Sequence, residues 1–353
     1  MDVAQREEAA GLETRTQWSP LVMESANLQA TESSEPISGS SPLVSVIVPT
    51  FNRGYCIVQA LQSVLLQNFA NFEIIVVDDA STDDTCEQVQ RITDTRVHYV
   101  AHEKNKGGAA ARNSGIRIAK GEFVAFLDSD DYWQPDKLDK QITAMQAAGP
   151  KCGMSYTWIS CVDDSGKEVL RINPDIDGAC FKEMMVSNFI GSFSNIVVRK
   201  SLLLDVGALD EAFRSCQDWD LFVRLTRDAS VHCLREYAVR YLLSTTDKNR
   251  ISTNSNSVIQ GHNLMLTKYA DDYASLPPQI KLRAYRVYMG IFANCGSVRH
   301  TVGTGIERMK CGSPLSELKN FSYLILRALR RNLRMKMHAG RRARSLKATL
   351  HPS

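Results

Sequence analysis

A chain of 353 residues with 44% apolar residues is typical of a folded soluble protein with one large domain or two ordinary ones. Its nine cysteines form no CxxC pair and no cluster with histidine at zinc spacing, which excludes a zinc module and indicates reduced thiols in a cytosolic protein. No run reaches the roughly 20 apolar residues of a membrane-spanning helix. The net charge of +3 arises in the tail, where ten Lys and Arg residues follow Pro314 against the single Glu317.

Residues 1–42 are predicted to be disordered, because they are rich in Glu, Ser, Thr and Ala and lack apolar periodicity. Order is expected to begin at 44–48, where β-branched residues indicate a strand buried on both faces. Strand and helix patterns then alternate, with further strands at "FEIIVVDD", "RVHYV" and "EFVAFLD". This alternation predicts a doubly wound, mostly parallel α/β sheet.

The pattern becomes less regular from Trp133 onward. "QPDKLDKQITAMQAA" and "QDWDLFVRLTRDA" predict helices, and "CGMSYTWISCVDDSGKEV" predicts two strands around a turn at "DDSG". Beyond Ser244 the chain is first polar and then helical, most clearly in "PPQIKLRAYRVYMGIFANCG" and "PLSELKNFSYLILRALRRNLRMKM". We therefore expect a helical C-terminal extension.

Polar residues follow three of the predicted strands, as "PTFNR", "DDAST" and "DSDD". Ligands of such sheets bind beyond the carboxyl ends of the strands, so these segments predict one shared site. Asp128, Asp130 and Asp131 stand within four positions, where their charges repel unless a cation lies among them. An Asp-x-Asp pair suits Mg²⁺ or Mn²⁺, which bind one or two carboxylates together with substrate phosphates. The alternative is that Asp128 caps the turn while the other two are solvated.

Asp78 and Asp79 allow two interpretations. They could simply end a strand and lead into the next helix, or one of them could accept hydrogen bonds from a uracil imide or from ribose hydroxyls. A phospho-receiver domain also gathers aspartates at strand ends. That class leaves the preceding strand and helix, and the later "QDWD" segment, without an explanation.

Four segments together resemble the inverting glycosyltransferases of family 2, which have the GT-A fold. The segments are "VSVIVPTFNR", "LQSVLLQNFANFEIIVVDDASTDDT", "NKGGAAARNSGIRIAKGEFVAFLDSDDYWQPDKL" and "CQDWDLFVRL". The resemblance implies a nucleotide-diphosphate sugar donor, here a UDP-sugar, a divalent Mn²⁺ or Mg²⁺, and inversion at the anomeric carbon. It divides the chain into a nucleotide-sugar-binding half at 43–131, an acceptor-binding half at 132–245 and a helical extension at 246–353.

The resemblance also implies which residues bind the donor. Thr50, Phe51 and Asn52 would line the nucleotide base and ribose, and Asp79 would contact the base. Arg112, in "AARNSG", would face the nucleotide, or else be a solvated arginine on a helix surface.

The metal and the base follow in the same way. Asp130 would be the main metal ligand, and Asp128 would lie against the ribose or the metal. The catalytic base of the family matches Asp218 of "QDWD", and an inverting transfer needs one carboxylate that takes the proton of the acceptor hydroxyl. Alternatively, Asp218 caps the helix and Asp220 is a surface charge. Gln217 stands where the family more often has Glu, which removes a charge that would raise the pKa of the base.

Further positions carry open alternatives. Trp133 could form the floor of the sugar site, and Trp219 could stack on a sugar ring or pack in the core. Many relatives have a His after the last core strand, but "YLLSTTDKNRIS" contains none. A flexible segment closing over the donor could supply a substitute. The candidates to reach the phosphates there are Ser244, Thr245, Lys248 and Arg250.

The segment 321–347 predicts a basic amphipathic helix followed by further basic residues. Such a helix can bind an anionic membrane surface, or its apolar face can pack on the catalytic domain. No recognised nucleic-acid module accompanies it, so no nucleic-acid partner is expected. The apolar face comprises Phe321, Leu324, Ile325, Ala328, Leu329 and Met335, and the opposite face carries Arg327, Arg330, Arg331 and Arg334.

The sequence thus predicts a metal-dependent inverting glycosyltransferase that acts on a hydroxyl of a glycan or lipid-linked acceptor, with Asp218 as general base. We expect it in the cytoplasm, with peripheral attachment to the inner face of the membrane as an option. The alternative is a nucleotide-sugar-binding protein that has lost transfer. Gln217 and the missing His favour that alternative, whereas Asp218 and the intact Asp-x-Asp pair oppose it.

Overall fold

The computed structural model describes residues 41–244, 254–312 and 321–333. All of these residues belong to one compact unit, Gly39–Ser353. Residues 1–40 of the segment predicted to be disordered lie outside the described residues, as does the chain between residues 245 and 253.

The first half of the sheet is the parallel arrangement that the alternating pattern predicts. Its elements are β1 (Val44–Thr50), α1 (Ile57–Leu65), β2 (Phe72–Asp78), α2 (Thr85–Gln90), β3 (Val97–Ala101), α3 (Gly108–Ile118) and β4 (Phe123–Phe126). The four strands lie in the order β3-β2-β1-β4, and every pairing among them is parallel. Ile47 of β1 packs in one core cluster, and Val46 and Val48 pack in the cluster on the other face. Because both faces are covered, ligands reach this half at its carboxyl edge.

The second half continues the same sheet with mixed directions. Its elements are β5 (Tyr132–Trp133), α4 (Lys137–Ala147), β6 (Cys152–Val162), β7 (Glu168–Ile172), α5 (Phe181–Val186), β8 (Ile196–Arg199), α6 (Lys200–Asp205), α7 (Gln217–Asp228) and β9 (Ser230–Leu242). After β4 the order is β8-β6-β9-β5, with β7 paired to β6. Among these described strands, only β6 and β9 pair in parallel, and the predicted hairpin at "DDSG" joins β6 to β7 antiparallel. The prediction of a mostly parallel sheet therefore holds for the first half, and the whole sheet is mixed.

The C-terminal extension is helical, as predicted, and it packs directly on α7. Its helices are α8 (Ser255–Lys268), α9 (Ala270–Ser275), α10 (Pro278–Asn294) and α11 (Val298–Lys310), and residues 321–333 form one more. Asn254 caps α8 by accepting hydrogen bonds from the first-turn N–H groups of Asn256 and Ser257. Tyr288 of α10 stacks on Trp219 of α7 with ring centroids 5.3 Å apart. Within the described ranges, no helix has both the length and the apolar character that crossing a membrane requires.

Candidate active site

A cavity of about 580 Å³ opens at the carboxyl edge of the sheet. The residues after β1, the acidic segment after β4 and the beginnings of α3 and α7 line it. The structure therefore brings together the strand ends that the sequence predicts to share a site. Thr50, Asp79, Asp128, Asp130 and Asp218 all line this one cavity.

The end of β1 contributes Thr50 and Phe51 to the cavity wall. The Thr50 hydroxyl is buried and has no hydrogen-bond partner among the described residues, and Phe51 is 37% exposed. A buried hydroxyl without a partner is costly, so it favours a ligand there. Asn52 differs from its prediction, because it is not among the lining residues. Its amide oxygen accepts a hydrogen bond from Thr82 N–H (2.8 Å), and its own N–H donates to the Ser81 hydroxyl (2.8 Å), so it joins the loops after β1 and β2.

Asp78 and Asp79 both organise loops beside the cavity. Asp78 accepts a hydrogen bond from the backbone of the next turn. Asp79 is buried, and its carboxylate accepts from the His102 ring (2.8 Å) and from the backbone N–H groups of Lys106 (2.8 Å) and Gly107 (2.6 Å). Asp79 also lines the cavity, whereas Asp78 does not. The carboxylate of Asp79 thus fixes the loop that leads into α3 while remaining at the cavity wall.

Arg112 lies inside the site and is only 8% exposed, which excludes the solvated helix arginine. Its guanidinium forms an ion pair with Asp128 and donates to Gln217 Oε1 at 3.4 Å. The same group lies over the Phe193 ring, 4.2 Å from its centroid. Arg112 therefore connects the acidic segment after β4 to the beginning of α7.

The three aspartates after β4 have different environments. The side chains of Asp128 and Asp130 are 28% and 19% exposed, and Asp130 lies 3.9 Å from the Arg53 guanidinium. Asp131 is buried and accepts hydrogen bonds from the Ser194 hydroxyl (2.6 Å) and from a backbone N–H of β9 (3.1 Å). Burial raises the pKa of Asp131 well above its usual range, and the neighbouring carboxylates add to the effect. Asp131 thus fixes the fold of this segment, and only the first two carboxylates line the cavity.

Asp128 and Asp130 fit a divalent cation that arrives with a diphosphate. Among the residues that the structure describes, no three His, Cys, Asp or Glu side chains cluster as a complete metal site. Mg²⁺ typically takes one or two carboxylates and fills its remaining positions with substrate phosphates and water. A pair of carboxylates at the cavity wall is sufficient for such an ion.

Asp218 lies in the first turn of α7, held by two hydrogen bonds. Its carboxylate accepts from the Asn188 side-chain amide (2.8 Å) and from Trp219 N–H (2.8 Å). Burial raises the pKa of Asp218, and the Trp219 N–H and the Arg112 guanidinium oppose that effect only in part. A carboxylate with a raised pKa is a stronger base, which suits proton transfer.

Replacing Gln217 with Glu should move the acid limb of the pH–rate profile to higher pH. The new carboxylate would lie beside Asp218 and would pair with Arg112, which now lowers the pKa of Asp218. Both changes raise that pKa, and a base of the kind predicted for Asp218 acts when deprotonated, so activity is expected to be lost at a higher pH as pH falls. The measurement is kcat/KM against pH, with a shift of about 0.5–1 unit expected for one added charge. A limb that stays in place or moves to lower pH would contradict this electrostatic account.

The residues around Asp218 belong to the core. Trp219 is 3% exposed and stacks on Tyr288. Of the two alternatives, it therefore packs in the core rather than against a sugar ring. Trp133 is also buried and does not line the cavity, which contradicts its predicted place at the floor of a sugar site. Asp220 is fully buried and ion-paired to Arg224, so the alternative that made it a surface charge is wrong.

Some lining residues were not singled out from the sequence. Arg53 is in the quoted segment "PTFNR" and could have been noticed there. Arg214 precedes Asp218 by four residues, and Ser257 belongs to α8, for which no local pattern indicates proximity to the cavity. Of the candidates after β9, Thr245, Lys248 and Arg250 lie outside the described residues, and Ser244 does not line the cavity.

Comparison with known families gives a match for residues 45–207, described as "Glycosyl transferase family 2". The putative teichuronic acid biosynthesis glycosyltransferase TuaG of Bacillus subtilis is 37% identical over 162 residues, which is 45% of this chain and 63% of that protein. The UDP-Glc:alpha-D-GlcNAc-diphosphoundecaprenol beta-1,3-glucosyltransferase WfgD of Escherichia coli is 45% identical over 103 residues, 29% of this chain and 41% of that protein. The chain thus spans less than two thirds of the length of either relative.

Two kinds of solved structure share the fold. S. aureus TarS 1–349 in complex with UDP-GlcNAc has a TM-score of 0.55 at 22% identity and covers 81% of this chain and 79% of its own. The mannosyltransferase PcManGT of Pyrobaculum calidifontis, in complex with GDP-Man and Mn²⁺, has a TM-score of 0.54 at 19% identity and covers 87% and 91%. At this identity the likeness concerns the fold, which is the GT-A fold predicted from the sequence.

Proposed function

We propose that the protein is a family-2 glycosyltransferase that transfers a sugar from a UDP-sugar to a hydroxyl of a lipid-linked or glycan acceptor, with inversion; the match of residues 45–207 to the model of that family supports this proposal. The observation that carries the proposal is the meeting of Asp128, Asp130 and Asp218 in one cavity. Two carboxylates for a metal–diphosphate group and one separate carboxylate for a base are the set that an inverting transfer needs. The acceptor class is supported by WfgD, whose name gives a GlcNAc-diphosphoundecaprenol acceptor.

The donor would lie along the end of β1. Thr50 offers its unpaired buried hydroxyl, and Phe51 offers a partly exposed ring beside it. Asp79 lines the cavity wall. Its carboxylate could accept one further hydrogen bond there, from the imide N–H of uracil. Arg53 and Arg112 provide positive charge for the diphosphate from the same cavity.

Asp130, with Asp128 as a second ligand, would hold Mn²⁺ or Mg²⁺. When bound, such an ion neutralises the charge that develops on the departing diphosphate. Arg112 stabilises Asp128 through their ion pair and keeps that carboxylate at the cavity wall. The protein therefore needs no second carboxylic acid to protonate the leaving group.

Asp218 acts on the acceptor. Its carboxylate takes the proton of the acceptor hydroxyl while the hydroxyl oxygen forms a bond to the anomeric carbon and the bond to the diphosphate oxygen breaks. The Asn188 amide and the Trp219 N–H hold the carboxylate in place during this step. Attack from the face opposite the diphosphate inverts the anomeric configuration, through an oxocarbenium-like transition state.

The donor part of the proposal is tested by thermal unfolding with UDP, GDP and UDP-sugars, each with and without Mn²⁺ or Mg²⁺. Ligands that bind only the folded state raise Tm, so we expect UDP compounds to do so and the metal to enlarge the shift. Asp130→Asn should remove the metal-dependent part, whereas Asp139→Asn, at an exposed position of α4, should retain it. If no nucleotide raises Tm at saturating concentration, the donor site proposed here does not exist.

We propose further that the helix at 321–333 attaches the protein to an anionic membrane surface. Part of the apolar face expected to do this packs inward instead: Ala328 is fully buried, and Phe321 lies against Gly305 of α11, whereas Leu329 of that face is exposed and Met335 lies outside the described residues. Leu329 and three further apolar residues are exposed on this helix, accompanied by exposed arginines at 327, 330 and 331. Apolar contact combined with basic charge suits anionic lipid. The exposed apolar residues are Tyr323, Leu326, Leu329 and Leu333, between 41% and 60% exposed.

The variant Leu326→Glu/Leu333→Glu should lose binding to vesicles of phosphatidylcholine and phosphatidylglycerol. Each carboxylate would oppose insertion and repel the anionic lipid, so we expect at least a tenfold weaker partition in a sedimentation assay. The control is Leu66→Glu/Leu204→Glu, which changes two leucines of similar exposure elsewhere on the surface. Equal vesicle binding by both double variants would show that this helix face does not contact lipid.

A further inference from the structure

Among the described residues, three arginines line the cavity, and they differ in what they contact. Arg53 lies 3.9 Å from a carboxylate oxygen of Asp130, and Arg112 is paired with Asp128. Arg214 is exposed, and its guanidinium has no hydrogen bond and no ion pair with any of the residues described. An arginine is always charged and has five donors, so Arg214 offers its full binding capacity to a ligand.

Along the chain, Arg214 is nearer to Asp218 than to the two carboxylates after β4. It belongs to the loop that leads into α7, four residues before Asp218. Its guanidinium lies beside Gly107, just before α3, where a β-carbon would stand only 3.0 Å from Arg214 Nη1. Ser257, in the first turn of α8, lines the same cavity.

We propose that Arg214 binds a phosphate group of the acceptor, so that this site selects acceptors whose reacting sugar is linked to a phosphate or diphosphate. The inference rests on the proposed function and specifies its acceptor. The acceptor hydroxyl must reach Asp218, so a phosphate attached to the same sugar enters beside the loop that carries both residues. The guanidinium fork of arginine matches two phosphate oxygens, which makes the contact selective as well as attractive.

The donor is the other possible source of a phosphate at Arg214. Its diphosphate is expected at the carboxylates after β4, beside Arg53 and Arg112, which lie in contact with those carboxylates. Among the described residues, Arg214 forms no hydrogen bond or ion pair with Asp128 or Asp130. The two sources make different predictions, because loss of Arg214 would weaken donor binding in one case and acceptor binding in the other.

The experiment measures binding by calorimetry, so it does not depend on turnover. The protein is first saturated with UDP and Mn²⁺, and undecyl diphospho-N-acetylglucosamine is titrated in; undecyl N-acetylglucosaminide, which lacks the diphosphate, is the second probe. For Arg214→Ala we expect Kd of the diphosphate probe to rise roughly tenfold or more, since hydrogen bonds to charged groups are the strong ones. The Kd of the neutral probe and the Kd of UDP should stay within about twofold. Arg214→Lys should retain part of the selectivity, because it keeps the charge and loses the fork.

The control is Arg283→Ala, which removes an exposed arginine of α10 that does not line the cavity. Equal losses for both probes, an unchanged Kd for the diphosphate probe, or a loss confined to UDP would each overturn the assignment. Failure of the proposed function is seen separately, as absence of sugar transfer by the unsubstituted protein, while the binding comparison still decides the role of Arg214.

Discussion

Replacing Asp218 with Asn should lower kcat by about 10²–10⁴-fold, the usual contribution of a general base, and leave the Kd of UDP nearly unchanged. The amide is close in shape to the carboxylate and can still accept a hydrogen bond from Trp219 N–H, but it cannot take a proton. Since the interaction is lost in the transition state rather than in donor binding, KM for the donor should change little. The measurement is steady-state transfer from a UDP-sugar, paired with calorimetric titration of UDP.

The control for this variant is Asp228→Asn, at the exposed end of the same helix α7. It should keep full activity, because it is far along the helix from the cavity-lining first turn. A protein that binds nucleotide sugars without transferring them would show no activity before or after substitution of Asp218. An Asp218→Asn protein that retained the kcat of the original would remove Asp218 from the mechanism and leave the base unidentified.

Replacing Asp220 with Ala should lower the free energy of unfolding by about 3–5 kcal/mol, the cost of removing one partner from a buried ion pair. Asp220 is fully buried, and its carboxylate accepts hydrogen bonds from Arg224 (2.7 Å) and from the Tyr269 hydroxyl (2.7 Å). Lys268 lies 2.7 Å from the same carboxylate. Without Asp220, two cations and a buried hydroxyl at the contact between α7 and α8 lose their shared partner.

Urea unfolding followed by circular dichroism measures this effect, with Asp228→Ala as the exposed control that should stay within about 0.5 kcal/mol of the original. Asp220→Asn should have an intermediate effect, because the amide keeps a hydrogen-bond acceptor but loses the charge. If Asp220→Ala proved as stable as Asp228→Ala, the contact between α7 and the C-terminal helices would contribute little to the free energy of unfolding. Asp218 and Asp220 stand two residues apart, and the two predictions assign them different effects, the first on kcat and the second on the free energy of unfolding.

The elements of the first half could be predicted because each depends on local pattern. The β-branched run of β1 and the alternation through β4 predict buried parallel strands, and the strand ends bring Thr50, Asp79 and Asp128 to one edge. The antiparallel pairings of β8 could not be predicted in the same way. They depend on which distant strand β8 meets, and a short apolar run such as "NIVVR" carries no information on its partner.

The sequence was sufficient to predict which residues belong to the site, but not which of them are buried or which residues they contact. Asp131 and Asp220 were indistinguishable in sequence from solvated acids, and their burial depends on partners 63 and 49 residues away. Arg112 is similar, since its contact with Gln217 spans 105 residues. The place of Asn52 was misjudged for a local reason: its left-handed backbone (φ 53°) directs it to the next loop rather than to the cavity.

The central claim is inverting transfer of a sugar, and the anomeric configuration of the product tests it most directly. The protein would be incubated with Mn²⁺, undecyl diphospho-N-acetylglucosamine and each of a panel of UDP-sugars, and any new glycoside would be examined by nuclear magnetic resonance. A product whose new linkage has the configuration opposite to that of the donor sugar is the predicted result. A product that retains the configuration of the donor sugar would contradict the account. So would the absence of transfer from every UDP-sugar in the panel, with the unsubstituted protein and Asp218→Asn giving the same result.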